Sequence, residues 1–239
     1  MTKLAWDETG NRIYESGIRK GVLYKKIVSG GNAGDYGAGV AWNGLTSVTE
    51  SPSGAEETAL YANDSKYLSL YSAEEFGGTI GAYTYPDEWA ECDGSASPAT
   101  GLTIGQQTRV GFGLCYRTLL GNDSQGDSYG YKLHLVYGAT ASPSEKSYET
   151  INDSPDAVEF SWDYTTTPVA VNDDYKPTSL IVIDSTKVDS AKLTILENIL
   201  YGSASANPRL PLPVEVIAII QTGSYTGSTG ATGATGGGN

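Results

Sequence analysis

Val110-Gly111-Phe112-Gly113-Leu114-Cys115-Tyr116-Arg117-Thr118 alternates residue by residue, placing Val110, Phe112, Leu114 and Tyr116 on one face and Gly111, Gly113, Cys115 and Arg117 on the other. A two-residue period belongs to an extended strand with one face buried. The same period recurs outward from this stretch. Between Tyr129 and Tyr137 it groups Tyr129, Tyr131, Leu133, Leu135 and Tyr137 against Lys132 and His134. Further along, it sets Val158, Phe160, Trp162 and Tyr164 against Glu159, Ser161 and Asp163, whose acidic face must meet water. Strands are also expected over 21–28, 66–72, 79–85, 180–184 and 214–221. The last two, Leu180-Ile181-Val182-Ile183 and Val216-Ile217-Ala218-Ile219-Ile220, are apolar on both sides and are expected at the centre of the sheet packing.

One segment breaks the pattern. Leu193, Leu196 and Leu200 recur at helical spacing, Asp189 or Ser190 can accept from the first free amides, and Gly202 supplies a stop. Such a helix, with Lys192, Glu197 and Asn198 on its polar side, should cover a sheet or a barrel mouth. The fold class expected is therefore mainly β, a β-sandwich or barrel with one packed α-helix near the C-terminus.

Composition agrees with many half-wet strands. Tyr outnumbers Phe 17 to 3 and there are 30 glycines, so apolar mass comes with polar tips and frequent tight turns. At 239 residues the chain can bury a real core as one large β domain or two small ones. The net charge of −13, with no basic run longer than Arg19-Lys20 or Lys25-Lys26, excludes ordinary phosphate-backbone binding. It suits a surface past which a polyanion slides, and equally suits solubility alone. The opening residues lack the apolar run of a secretion signal, and no segment approaches the ~20 apolar residues of a membrane span. Cys92 and Cys115 are read as free thiols of a reducing cytoplasm, a disulfide between them being compatible but unneeded.

Chemistry finds little footing. His134 is the only histidine and sits mid-strand with no nucleophile motif beside it, which favours a structural role. Gly111-Phe112-Gly113 precedes no helix, so it reads as close backbone approach within a sheet and not as a dinucleotide loop. The doublets Glu56-Glu57, Glu74-Glu75, Asp87-Glu88 and Asp173-Asp174 point to opposite faces when on strands, so surface solvation accounts for them better than an ion or a glycosidase pair. No catalytic, cofactor or metal residue is expected.

The segment 29–56 is glycine-rich yet holds Tyr36 and Trp42, and it reads as a long loop or hairpin. Beyond 222, the run from Gly223 to Asn239 is almost entirely Gly, Ser, Thr and Ala and reads as a flexible tail to a domain spanning 1–222.

Several blocks carry a family resemblance. Tyr83-Thr84-Tyr85-Pro86-Asp87-Glu88-Trp89-Ala90-Glu91-Cys92-Asp93-Gly94 and the run Arg109 to Asp123 are joined by Glu56 to Asp64, Glu74-Glu75-Phe76 and Tyr131 to Gly138. Together they resemble, in order and over most of residues 1–220, the major tail proteins (tail-tube proteins) of long-tailed bacteriophages of Gram-positive bacteria. The resemblance implies a structural protein and not an enzyme. It implies hexameric rings stacked into a tube around a tape-measure protein, in a non-contractile tail, with tail-terminator and tail-tip proteins as further partners. DNA would pass through without specific binding, and the subunit would be made in the host cytoplasm and reside in the virion. It also implies an arm reaching a neighbouring ring, for which Asp35, Tyr36, Trp42 and Asn43 within 29–56 are the candidates, a mobile surface hairpin being the plainer reading. Glu159 and Asp163 are candidate lumen-facing acids. The rival readings are a carbohydrate-binding β-sandwich module of a phage or bacterial surface protein, a β-sandwich hydrolase, and a capsid decoration or tail-terminator protein. Trp42, Trp89 and Trp162 would serve sugar stacking or subunit interfaces equally well.

Overall fold

The computed structural model describes residues 3–28, 35–148, 150 and 157–224. The first half of the chain is almost all strand: β1 (Ile13–Lys26), β2 (Tyr36–Ala41), β3 (Leu45–Glu50), β4 (Ser53–Gly54), β5 (Glu57–Ala62), β6 (Ser65–Tyr71), β7 (Glu74–Glu75) and β8 (Gly77–Ala82). A one-turn helix α1 (Trp89–Cys92) follows, then β9 (Ala96–Ala99), β10 (Leu102–Ile104), β11 (Phe112–Asn122), β12 (Gly126–Ala141), β13 (Phe160–Thr166) and β14 (Leu180–Asp184). Helices α2 (Ser190–Tyr201) and α3 (Pro213–Thr222) close the described chain.

An eight-stranded antiparallel sheet runs in the order β2-β1-β11-β12-β13-β8-β3, with β14 also paired to β12. Its end strands, β2 and β3, are consecutive in the chain and joined through Trp42-Asn43-Gly44, so the sheet must roll upon itself. Trp42 N–H donates to the Gly21 carbonyl of β1 at 2.8 Å, and a Cβ on Gly21 would meet Leu45 Cδ2 at 2.7 Å. The long strand β12 serves two partners in succession, β14 over Lys132–Val136 and β13 over Ala139–Ala141. The fork falls at Gly138, whose φ of +61° and contact with the Thr167 carbonyl leave no room for a side chain.

Both faces of the central strands are buried, against different partners. Inside the roll lie Leu23, Trp42, Ile80, Trp89, Phe112, Leu114, Tyr116, Val136, Trp162 and Tyr164. Trp89 packs against Trp42, Phe112 and Trp162 at centroid distances of 4.7, 4.9 and 5.4 Å, tilted or edge-on, pairs of about 0.5–1.5 kcal/mol each beyond area burial. Outside the roll, Cys115, Leu133, Leu135 and Tyr137 meet Leu193, Leu196, Leu200, Val216 and Ile219 of α2 and α3. Here the tyrosine tips act as pins: Tyr24 and Tyr137 hydroxyls donate to the Leu200 and Pro211 carbonyls at 2.6 and 2.9 Å. Tyr131 donates to Glu197 at 2.6 Å, and Arg117 joins the same carboxylate while lying 3.6 Å over the Tyr131 ring. Asp189 caps α2 through the Ala191 and Lys192 amides, as its place in the sequence predicts.

Two expectations need correction. The segment 214–221 is not a central strand but helix α3, which packs on α2 in the outer core. Pro213 at its start lacks only an amide that a helix leaves unused, and Gly223, at φ +78°, donates its amide to the Ile219 carbonyl at 2.8 Å. Strand β14 is real but lies at the fork beside β12 alone, with Val182 44% exposed, rather than at the centre of the packing. Cys92 and Cys115 are free and stand in the inner and the outer core respectively. Among the described residues no helix is long and apolar enough to cross a membrane.

Candidate assembly interface

The site residues expected in 29–56 separate on folding. Tyr36 lies in the outer core and accepts the Gly138 amide at 2.7 Å through its hydroxyl. Trp42 is buried inside the roll and donates to the Thr84 carbonyl at 3.0 Å. Asp35 accepts the Ile27 amide at 2.7 Å, and Asn43 is exposed in the β2–β3 turn. Residues 36–50 are therefore wall, not arm, and 29–34 lie outside the described residues. The glycines belong to that wall: a Cβ on Gly39 would strike the Tyr24 ring and the Val22 side chain. Gly39 marks close packing, whereas Gly44, at φ +72°, serves the β2–β3 turn.

The projecting element is the next one along the chain. β3 passes into β4, which pairs with β7 as a short stem, and beyond the stem β5 and β6 pair only with each other. Asn63 and Asp64, at φ +49° and +61°, form the turn, as a two-residue hairpin of the right twist requires. Register across the hairpin sets Thr58 against Leu70 and Leu60 against Leu68, so one face carries the leucines. Tyr67 and Tyr71 occupy the other face. Leu60, Leu70, Tyr61, Tyr67 and Tyr71 are 41, 53, 72, 72 and 68% exposed. Glu57 is held below the usual carboxylate range by hydrogen bonds from Lys66, then Ser69, both across the hairpin. A two-stranded hairpin apolar on both faces is marginal in water by itself, so this one calls for a covering surface.

A second surface has the opposite chemistry. On the outer face of β13, β8 and β3, register aligns Asp163, Thr79 and Thr49 in one row and Ser161, Gly81 and Ser47 in the next. Thr79 donates to Asp163 at 2.6 Å and Thr46 to Glu159. Glu159 and Asp163, expected to face away from the core, are both exposed here. Carboxylates and short hydroxyls, without a lysine or arginine in these rows, give a face to which a polyanion would not adhere.

Where β3 meets the hairpin stem, the inner face of the roll turns polar. Glu50, the last residue of β3, accepts from the Tyr116 hydroxyl and lies 2.8 Å from His134 Nδ1. His134 stacks on Tyr116 at 4.7 Å and 10°, and its Nε2 lies 3.1 Å from Thr118 Oγ1 and 3.6 Å from Glu15. Glu15 also takes Lys132 and the Thr118 hydroxyl. The hydrogen bond from His134 holds the Glu50 carboxyl below its ordinary range against the opposing effect of burial. For Glu15, burial pushes upward but Lys132 and Thr118 outweigh it, and the net direction is again down. Sequence reasoning placed His134 on the face opposite Leu133 and Leu135 but could not foresee Glu50 from another strand. No protein-family profile and no curated protein sequence matches the chain.

Proposed function

We propose that this protein is the structural subunit of a phage tail tube, assembling as stacked hexameric rings that form the conduit for DNA ejection. The observation that carries the reading is the 51–76 hairpin, which presents Leu60, Leu70, Tyr61, Tyr67 and Tyr71 to solvent on a stem outside both cores. A neighbouring subunit in the next ring would cover it, and the arm role is assigned to this hairpin rather than to the sheet residues 36–50. The outer edge of β14, which pairs only with β12, offers backbone pairing to neighbours within a ring. The acid and hydroxyl face around Glu159 and Asp163 would line the lumen, past which DNA travels without being held. Tape-measure, tail-terminator and tail-tip proteins would complete the partners, and the subunit would reside in the virion.

Electron microscopy of the concentrated pure protein tests this. Hollow tubes or six-fold rings are expected, and replacing 57–71 by a short Gly-Ser turn should leave a folded subunit that no longer stacks. Long tubes from the shortened protein would remove the hairpin from the contact. The alternative, a carbohydrate-binding module, would draw on the exposed Tyr61, Tyr67 and Tyr71, since Trp42, Trp89 and Trp162 are buried together. Monomers at every concentration, retained by a glycan array, would favour it.

A further inference from the structure

The hairpin leaves the barrel through a narrow root. On one strand Ser51 donates to the Gly77 carbonyl at 2.8 Å, and the β4–β7 pair adds only two residues a side. To one side of the root lies an open groove of about 880 Å³ lined by Ala55, Ala73, Phe76, Pro177 and Leu180, so little packing fixes the root there. On the other strand the Thr166 amide and hydroxyl donate to the Phe76 carbonyl at 3.1 and 2.7 Å. On the β3 side the anchor is Glu50, one residue before Ser51, whose carboxylate reaches across the barrel end to Tyr116 and His134.

We propose that Glu50, His134 and Tyr116 form a clasp that sets the direction in which the hairpin leaves the barrel. The inference rests on the hairpin being the assembly arm, but the clasp itself belongs to the single subunit.

Hydrogen-bond capacity links the clasp to its neighbours. An ionised Glu50 only accepts, so Nδ1 of His134 carries a hydrogen toward it. Thr118 has one hydroxyl hydrogen and two neighbours, His134 Nε2 and Glu15. With Nε2 bare, the hydroxyl serves the imidazole and Glu15 keeps only Lys132. With Nε2 protonated, the imidazolium donates to the Thr118 oxygen or to Glu15, the hydroxyl turns to Glu15, and the chain Glu50–His134–Thr118–Glu15 closes. The closed chain ties β3, β12, β11 and β1 together. The other polar groups facing it are Lys132 on β12, already bonded to Glu15, and the Tyr164 hydroxyl on β13, beside the Glu50 carboxylate. β14 contributes Val182 opposite His134 and Asp184 opposite Lys132, the latter engaged by Thr186 and Lys187. Protonation of Glu50 itself opens the clasp, because a neutral carboxyl no longer accepts from both partners with charge.

Amide hydrogen exchange on the single subunit decides the matter, read at Ser51 and Ala55, whose amides donate to the Gly77 and Ala73 carbonyls, against Leu133 and Leu135. In Glu50→Gln, the root amides should exchange about tenfold faster while the Leu133 and Leu135 amides stay protected, an effect of the size expected for one hydrogen bond to a charged group. His134→Gln should do the same. Tyr116→Phe, which keeps the ring and loses only the hydroxyl, serves where Glu50→Gln does not fold and should give the same local pattern more weakly. Root exchange unchanged in all three, or raised equally throughout the barrel, would overturn the clasp. Because the readout is on unassembled subunits, it is independent of tube formation. A clasp confirmed here alongside normal tubes from the 57–71 replacement would leave the clasp standing and refute the arm.

Discussion

β11–β12 and β5–β6 are both antiparallel pairs written in the same alternating code, yet nearly every side chain of the first is covered on both faces and nearly every side chain of the second is bare. Backbone pairing therefore does not distinguish them. What does is the layer each face meets: the aromatic interior on one side of β11–β12 and α2–α3 on the other, against nothing on either side of the hairpin. A fold stabilised at its wall can carry an element that contributes almost nothing to its own stability, which frees that element to be optimised for a contact elsewhere.

Thiol labelling offers the sharpest way to break the comparison. Burial pushes both Cys92 and Cys115 up to about 12, so neither holds appreciable thiolate at pH 8. In native protein they should react with iodoacetamide about a thousandfold more slowly than in urea, while a cysteine introduced as Tyr67→Cys should react at the free-thiol rate. Rapid native labelling of Cys115 would mean that the helix layer opens easily. Stability is the next contrast. Trp162→Ala removes the ring at the centre of the aromatic cluster and should cost about 3–5 kcal/mol in urea unfolding, whereas Tyr67→Ala should change the subunit by no more than about 0.5 kcal/mol. A large loss from Tyr67→Ala would show the hairpin to be packed in solution.

The smallest effect concerns acid. Glu50 and Glu15 have folded values below the ordinary carboxylate value of about 4.3, so their stabilisation is present above that value and is lost as pH falls through the lower folded one. Glu50→Gln should therefore be less stable than the unaltered protein at pH 6 and should approach it by pH 3. Equal differences at both pH values would mean that Glu50 acts by shape and not by charge.

Much of this was legible in residue order. The face assignments around Phe112, Leu133 and Trp162, and the helix capped by Asp189, follow from periodicity, because each of these elements buries at least one complete face. Val214 to Gln221 defeats periodicity, since a short run apolar on all sides has the same pattern in a strand and in a buried helix. Pro213 and Gly223 at its ends were the readable signals. The glycines of 36–44 looked like a loop because composition cannot tell a glycine that turns from one that makes room for Tyr24. Of the hairpin only the strand over 66–72 was expected, and whether anything covers an apolar face depends on what the rest of the chain brings there. Glu50 meeting His134 is likewise a matter of register between strands distant in sequence.

The double-sided wall also sets how freely the sequence can drift. Along β11 and β12 a codon change on either face meets a finished core, and a Cβ at Gly113 would run into Leu210. On the outer face of β13, β8 and β3, exchange among Ser, Thr, Asp and Glu disturbs no core. In a saturation library scored for folding alone, the central wall should emerge as the most intolerant segment, the hydroxyl face and the hairpin as the most permissive, and selecting the same library for assembly should reverse the hairpin's rank while leaving the wall where it was.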